Sequence, residues 1–326
     1  MIEVACRGDV HVPGPDLWLD PAAPRGFAFV SHAHSDHAGK HGETVLSAAT
    51  SQLMRARIGP SPREHVLAFG ETRELRGVRF TLLPAGHVLG SAQLHLEDDR
   101  GSLLYTGDFK LRAGLASERI EWRTADTLIM ETTFGKPGFV FPPAEQVLCD
   151  MVNFCREALA DGAVPVLLGY SLGKAQEILC AVAAAGLKPM LHGAVARMTR
   201  VYSLCAPGIP DFAHYKKSGV DGHVLICPPG VRRSAMLQNI RKKRVAMLTG
   251  WAMTPGAVHR YGCDAVFPLS DHAGYDDLLE YVRLVGPRRV LTLHGYASEF
   301  ARDLRRRGVE AWSLVSPDQL EFPGFL

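Results

Sequence analysis

A chain of 326 residues is long enough for one large domain or two moderate ones, each with its own core. An apolar share of 47% and a charged share of 21% suit a globular enzyme, and no apolar run reaches the ~18 residues that span a bilayer. The net charge of +2 hides an asymmetry: Lys188 to Arg260 holds twelve Lys/Arg and two Asp/Glu, the rest 24 basic and 32 acidic residues. One basic face and a polyanionic partner are the expectation.

The N-terminal residues lack a basic segment followed by an apolar stretch, so a cytoplasmic location without a membrane partner is expected. The seven cysteines (Cys6, Cys149, Cys155, Cys180, Cys205, Cys227, Cys263) stand singly, with no CxxC pair. That argues against a disulfide framework and a cysteine zinc site, leaving small buried hydrophobes.

In chain order, short apolar or β-branched runs end in Asp, Ser, Pro, Gly, Glu or His: LWL before Asp20, FAFV before Ser31, FTLL before Pro84, LLYT before Gly107 and TLIM before Glu131. VFPL before Ser270 and VLTL before His294 complete the predicted strands. The clearest predicted helix runs from Pro142 to Gly162, with Val147, Leu148, Met151, Val152, Cys155 and Leu159 at helical spacing. GKAQEILCAVAAAG and DDLLEYVRLVG read likewise. Strands and helices alternate after about residue 140, which gives an α/β protein built in layers.

The chemistry concentrates in FVSHAHSDHAGKHG, where His32, His34, Asp36 and His37 form HxHxDH directly after a predicted strand. If the chain stays extended, His32 and His34 share one side and suit one metal ion, while Asp36 and His37 turn to a second. Imidazole and carboxylate are the ligands zinc, manganese and iron take in hydrolytic sites. Further ligands stand at other strand ends: His87 in PAGHVLGSA, Asp108 in LYTGDFK and His294 in TLHGYASEF. A carboxylate such as Asp108 can bridge two cations ~3.5–4 Å apart. His11, His41, His65, His95, His214, His223 and His259 match no motif and read as surface or turn residues.

HxHxDH, then GHVLGSA, then TGDF resembles the signature of the metallo-β-lactamase superfamily, with Asp20 in LWLDP matching the early aspartate that supports the ligand loop. The continuation is similar to the β-CASP nucleic-acid-processing branch: Glu131 in LIMETTFG matches its motif A acid, His272 in PLSDHAGYDDL its motif B histidine and His294 its motif C histidine. YSLGKAQEIL, LHGAV, LTGWAM and LSDHAG together resemble a bacterial subgroup of DNA-ligase-associated exonucleases, also labelled mRNA 3′-end processing factors.

The resemblance implies an αββα sandwich with an inserted β-CASP α/β cap. Residues 1–140 would form the first part of the metallo-β-lactamase domain, 141–265 the cap and 266–326 the C-terminal part. It also implies two divalent metal ions, zinc or manganese. His32, His34 and His87 would hold one, and Asp36, His37 and His294 the other, with Asp108 between. Asp36 and Asp108 would take part in catalysis, His272 would protonate the departing oxygen and Glu131 would orient it. At the turn before GKAQEIL a helix start offers backbone N–H groups to a phosphate, with Ser171, Lys174 and His192 as substrate contacts. The cluster Arg241, Lys242, Lys243 and Arg244 suits backbone phosphates.

The implied activity is hydrolysis of nucleic acid by a metal-activated water, as a 5′-to-3′ DNA exonuclease of DNA repair, with an ATP-dependent DNA ligase and a helicase as associates. His294 pulls towards RNA, since a motif C histidine accompanies RNA enzymes in this branch. An RNA-processing nuclease and a non-catalytic nucleic-acid-binding relative are the alternatives. A small-molecule thioester or lactam hydrolase would use the same metal site but not the basic middle segment.

Overall fold

The computed structural model describes residues 1–314; residues 315–326, the end of the expected C-terminal part, lie outside the described residues. The chain forms two compact units. One holds Met1–Ala113, Ser117–Phe139 and the described stretch from His272 onward; the other holds Val140–Asp271 with Gly114–Ala116.

The first unit contains two mixed sheets. One has six strands in sequence order: Ala5–Arg7, Asp9–Val12, Leu17–Leu19, Phe27–Phe29, Glu43–Ser47 and Arg63–Leu67. Its first three pair antiparallel and its last four parallel. The second sheet runs Ala311–Ser313, Arg289–Leu293, Thr127–Glu131, Gly101–Tyr105, Ala92–Asp98, Val78–Pro84 and Thr72–Leu75. It too changes from parallel to antiparallel, at Gly101–Tyr105.

Alternation along the strands of the second sheet feeds two cores. Leu103, Tyr105 and Ile129 face the first sheet, packing with Leu19, Phe27, Phe29 and Val45. Leu104, Leu128 and Met130 face the other way, against Tyr281 and Val282 of the helix Tyr275–Val285 and Phe300 and Leu304 of the helix Ala297–Arg306. On the first sheet, Leu53 and Met54 of the helix Ala48–Arg57 are buried. Sheet on sheet with flanking helices is the layered α/β architecture.

The second unit is a six-stranded parallel sheet, ordered Ala213–His214, Pro189–Leu191, Val224–Cys227, Val164–Leu168, Lys243–Leu248 and Ala265–Phe267. Val164–Leu168 is buried at every residue, as a strand covered on both faces must be. Leu167, Leu191 and Ile226 pack with Met151, Ile178 and Val195 from three helices, Ala144–Ala160, Lys174–Ala184 and Gly193–Cys205. Val166, Leu168 and Leu225 pack on the opposite face with Leu237 and Cys263.

The predicted strands appear with shifted ends. VFPL forms a strand only over Ala265–Phe267, stopping at Pro268, which has no N–H for a ladder. The helix expected from Pro142 starts at Ala144, after Pro143 as N-cap. Cys155, Cys227 and Cys263 are buried, but Cys6 and Cys149 are exposed, so the expectation of buried thiols holds for part of the set. Burial pushes the Cys155 and Cys227 thiols up to about 12, far from reactive thiolates. Among the described residues no helix is long and apolar enough to cross a membrane.

Candidate metal centre

In the first unit the chemistry-bearing residues follow the carboxyl ends of strands. Asp20 follows Leu17–Leu19, the His32–His37 segment follows Phe27–Phe29, and His87 follows Val78–Pro84. Asp108 follows Gly101–Tyr105, Glu131 ends Thr127–Glu131 and His294 follows Arg289–Leu293. The register Glu131↔Leu293 and the bond from Thr132 N to Leu293 O (2.8 Å) bring the last two neighbours level.

The HxHxDH segment does not stay extended beyond its second histidine. The chain turns at His34, whose carbonyl accepts from Ala38 N at 2.8 Å. The turn nonetheless brings His32 Nε2 within 3.0 Å of His34 Nδ1, which lies 3.1 Å from His87 Nε2. Asp108 Oδ2 stands 3.6 Å from His32 Nε2 and 3.7 Å from His87 Nε2. One ligand atom from each of His32, His34, His87 and Asp108 lies within 4.8 Å of all the others.

That donor set fits a cation. With metal–nitrogen bonds of ~2.0–2.1 Å, ligand atoms at the corners of a tetrahedron sit about 3.3 Å apart. Hydrogen bonds also fix which ring nitrogens are bare. Asp20 Oδ2 accepts from Ser31 Oγ at 2.5 Å, so Ser31 Oγ can accept from His32 Nδ1 at 2.9 Å, leaving His32 Nε2 as a lone pair facing the cluster. His37 Nδ1 donates to Asp20 at 2.9 Å, turning its Nε2 to Asp108 at 3.3 Å. Outer carboxylates that set histidine tautomers in this way are a recurring feature of metal sites.

Electrostatics follow burial and neighbours. Burial, then the like-charged His37, His87 and His34, hold His32 well below the ordinary imidazole value, so it stays in its neutral, metal-binding form. Burial pulls His37 down too, but Asp108 and Asp20 on its two sides raise it well above that value. Asp108, 6% exposed, would be pushed up by burial, yet His37 and His272 beside it hold it well below the usual carboxylate range.

The second expected ligand set is less tightly gathered. Asp36 is exposed, with Oδ2 3.7 Å from His37 Nε2, and the His294 and His37 rings are 5.8 Å apart. Among the described residues the other group whose ligand atoms lie within 4.8 Å of one another is Asp108, Glu131 and His272. His272 Nδ1 lies 2.8 Å from Glu131 Oε1, which also accepts from Phe109 N at 3.0 Å. Thr133 N and Oγ1 donate to Glu131 Oε2. The His272 ring is 4.8 Å from the His87 ring.

Asp20 and His294 have φ of 43° and 59°, left-handed values that cost strain in residues other than glycine and collect at functional sites. Gly86 and Gly90, with φ of 78° and 75°, bracket His87. A Cβ on Gly90 would lie 2.6 Å from Ala49 Cβ and 2.8 Å from Thr50 N. Gly90→Ala is therefore expected to destabilise the protein by roughly 2–5 kcal/mol, adding backbone strain to overpacking. A thermal melt unchanged from the parent would show that the loop has room to yield.

In the second unit, Ser171 and His192 follow the carboxyl ends of Val164–Leu168 and Pro189–Leu191. His192 caps the helix Gly193–Cys205, its Nδ1 accepting from Ala194 N at 3.2 Å, and burial lowers its pKa. Lys174, expected to lend a charge to a phosphate at a helix start, is 2% exposed, and its ammonium donates to Leu269 O at 2.6 Å and Asp271 Oδ1 at 2.8 Å. The Gly173 N–H at the same helix start donates to Gln176 Oε1 at 2.8 Å.

Sequence reasoning passed over Ser31 and Tyr105. The buried Tyr105 hydroxyl donates to Asp20 Oδ2 at 2.9 Å, so both residues serve the carboxylate that orients His32 and His37. The signal lay in their positions, adjoining HxHxDH and TGD at two strand ends.

Comparison with known proteins bears on the same features. Residues 265–314 match the family described as a Zn-dependent metallo-hydrolase RNA specificity domain. The chain is 53% identical over 314 residues to a "Probable DNA ligase" of Opitutus terrae, covering 96% of this chain and 31% of that one. It is 26% identical over 299 residues to the DNA cross-link repair protein SNM1 of Arabidopsis thaliana (81% and 60% covered). With an RNase J-like protein of Methanocaldococcus jannaschii it shares 28% identity over 176 residues (46% and 41% covered). The chain thus spans less than two thirds of the length of these relatives.

In fold it is similar to a crystal structure of a protein of unknown function from Enterococcus faecalis V583. The TM-score is 0.60 at 13% identity, with 90% of this chain and 80% of that one covered. Fold and site together define a metallo-hydrolase of the metallo-β-lactamase type. Within that superfamily the chain belongs to the β-CASP branch.

Proposed function

We propose that this protein is a metal-dependent phosphodiesterase that hydrolyses nucleic acid, acting as a 5′-to-3′ DNA exonuclease in DNA repair. The observation that carries the reading is the convergence of three imidazole nitrogens and the Asp108 carboxylate beside the paired Glu131 and His272. His32, His34 and His87 hold one zinc or manganese ion. Asp36, His37 and His294 would hold a second, with Asp108 beside both sets. Bound divalent cations supply Lewis acidity, lowering the pKa of a water and neutralising phosphate oxygens as charge builds in the transition state.

The chain's own residues do the rest. Asp20, through Ser31 and directly, engages the Nδ1 atoms of His32 and His37 and turns their Nε2 atoms to the cluster. Glu131 holds the Nδ1 proton of His272, leaving Nε2 as the atom that delivers a proton to the departing oxygen. The unit Val140–Asp271 serves as the β-CASP cap, where Ser171 and His192, at the carboxyl edge of a parallel sheet, contact a terminal phosphate. The basic run Arg241–Arg244 contacts the phosphate backbone.

Substrate class rests on the relatives. The 53% identity to a chain named as a probable DNA ligase, of which this chain covers 31%, supports association with a DNA ligase, which we extend to the ATP-dependent ligase and the helicase that the sequence resemblance implies. An RNA-processing role is the second reading, favoured by the match to an RNA specificity domain and by His294 within it. Matched DNA and RNA oligonucleotides, with and without a 5′-phosphate and with added manganese or zinc, separate the two. Mononucleotide release from the 5′ end of phosphorylated DNA is expected. Faster cleavage of the RNA would transfer the assignment to RNA processing, and inertness towards both with either metal would overturn the nuclease reading.

A further inference from the structure

The loop that carries His87 is gripped from two sides. On one side Ser47 Oγ and Thr50 Oγ1, at the start of the helix Ala48–Arg57, donate to Gly90 O at 2.6 and 2.9 Å. On the other, Gly90 N donates to the Glu118 carboxylate at 2.9 and 3.2 Å, and Ser117 Oγ donates to Gly86 O at 2.9 Å. The grip continues along 117–121: Glu121 N donates to Pro84 O at 3.2 Å, and Gln93 Nε2 bridges Pro84 O and Glu121 O at 3.0 and 2.6 Å.

We infer that Glu118, assisted by Ser117, is a positioning residue that fixes His87 for metal coordination by clamping the two glycines that bracket it. Glu118 is half-buried, and both of its carboxylate oxygens lie within hydrogen-bond distance of Gly90 N. Placing a carboxylate there has a desolvation cost that a mere loop anchor could avoid with a neutral acceptor. What the charge adds is a stronger hold on a single N–H, three residues from the imidazole that completes the ligand cluster. A Cβ on either glycine would meet backbone, so the loop is packed closely at both points that the clamp holds. Outer groups of this kind tune metal affinity without touching the ion.

The inference rests on the metal ligands proposed above, so the experiment begins with the parent protein. Zinc affinity is measured by competition with a chromophoric chelator, and geometry by the visible absorption of the cobalt(II)-loaded protein. Glu118→Ala is expected to weaken zinc binding about 10–100-fold and to alter the cobalt spectrum. Glu118→Gln, whose amide oxygen can still accept from Gly90 N–H but carries no charge, is expected to fall between the parent and Glu118→Ala in both. Should Glu118→Ala fail to fold, Ser117→Ala removes one contact of the same clamp and is expected to move both readouts in the same direction. A folded clamp variant with parental zinc affinity and cobalt spectrum overturns the inference and leaves the metal centre standing. A parent protein that takes up neither metal overturns the metal centre, and the clamp with it.

Discussion

His272→Ala is expected to lower turnover on a nucleic-acid substrate by about 10²–10⁴-fold, the range supplied by a positioned general acid, while the metal content stays at the parental level. The reason lies in the pairing of His272 Nδ1 with Glu131 Oε1 at 2.8 Å. A ring held by a buried carboxylate keeps one nitrogen for its partner and offers the other for proton transfer. An alkoxide leaving from a phosphodiester needs that proton, whereas nitrophenolate does not. The defect should therefore shrink sharply when the leaving group is p-nitrophenolate. Asp108, Glu131 and His272 also form a group tight enough to ligate an ion themselves. The two roles separate on metal analysis: a variant that loses bound metal together with activity identifies His272 as a ligand, and an equal loss on both kinds of leaving group speaks against proton donation.

Removing the Lys174 ammonium should strongly destabilise the second unit. Lys174→Met keeps most of the side-chain volume but leaves Asp271 buried without its cation, and both residues are nearly inaccessible. Breaking one partner of a buried ion pair costs about 3–5 kcal/mol, chiefly because a desolvated charge is stranded. Urea unfolding followed by Trp251 fluorescence, with the other tryptophans replaced, reads this unit. The double variant Lys174→Met/Asp271→Leu should recover much of the loss. A single variant as stable as its parent would mean that the ammonium contributes nothing to holding Asp271.

Much of the centre is legible in the sequence because its ligands occur as local patterns. HxHxDH fits within one turn, and Asp20, Asp108, Glu131 and His294 each terminate a recognisable apolar run. Pairings between distant segments leave no such trace. Lys174 follows a glycine at a helix start and so reads as a phosphate contact, but its partner Asp271 is 97 residues away. Glu118 lies 28 residues from the glycine it binds, in a stretch without helical or strand periodicity. The alternation argument for His32 and His34 assumed an extended chain. Those two rings do meet, but from His34 onward the chain turns, because the His34 carbonyl bonds Ala38 within its own segment rather than a neighbouring strand. Sequence pattern records what a residue does for its neighbours in the chain; tautomers, clamps and buried pairs depend on tertiary context.

The strand Gly101–Tyr105 divides its side chains between two cores, sends the Tyr105 hydroxyl to Asp20 and delivers Asp108 three residues later. A single residue inserted within it would exchange the two faces, turn the phenol away from its carboxylate and carry the shared ligand off its mark. Composition along that strand is therefore free to drift while its length is held fixed. Added or lost residues are expected to be tolerated better in stretches such as residues 113–115, where Ala113 and Leu115 are exposed and no ladder counts residues.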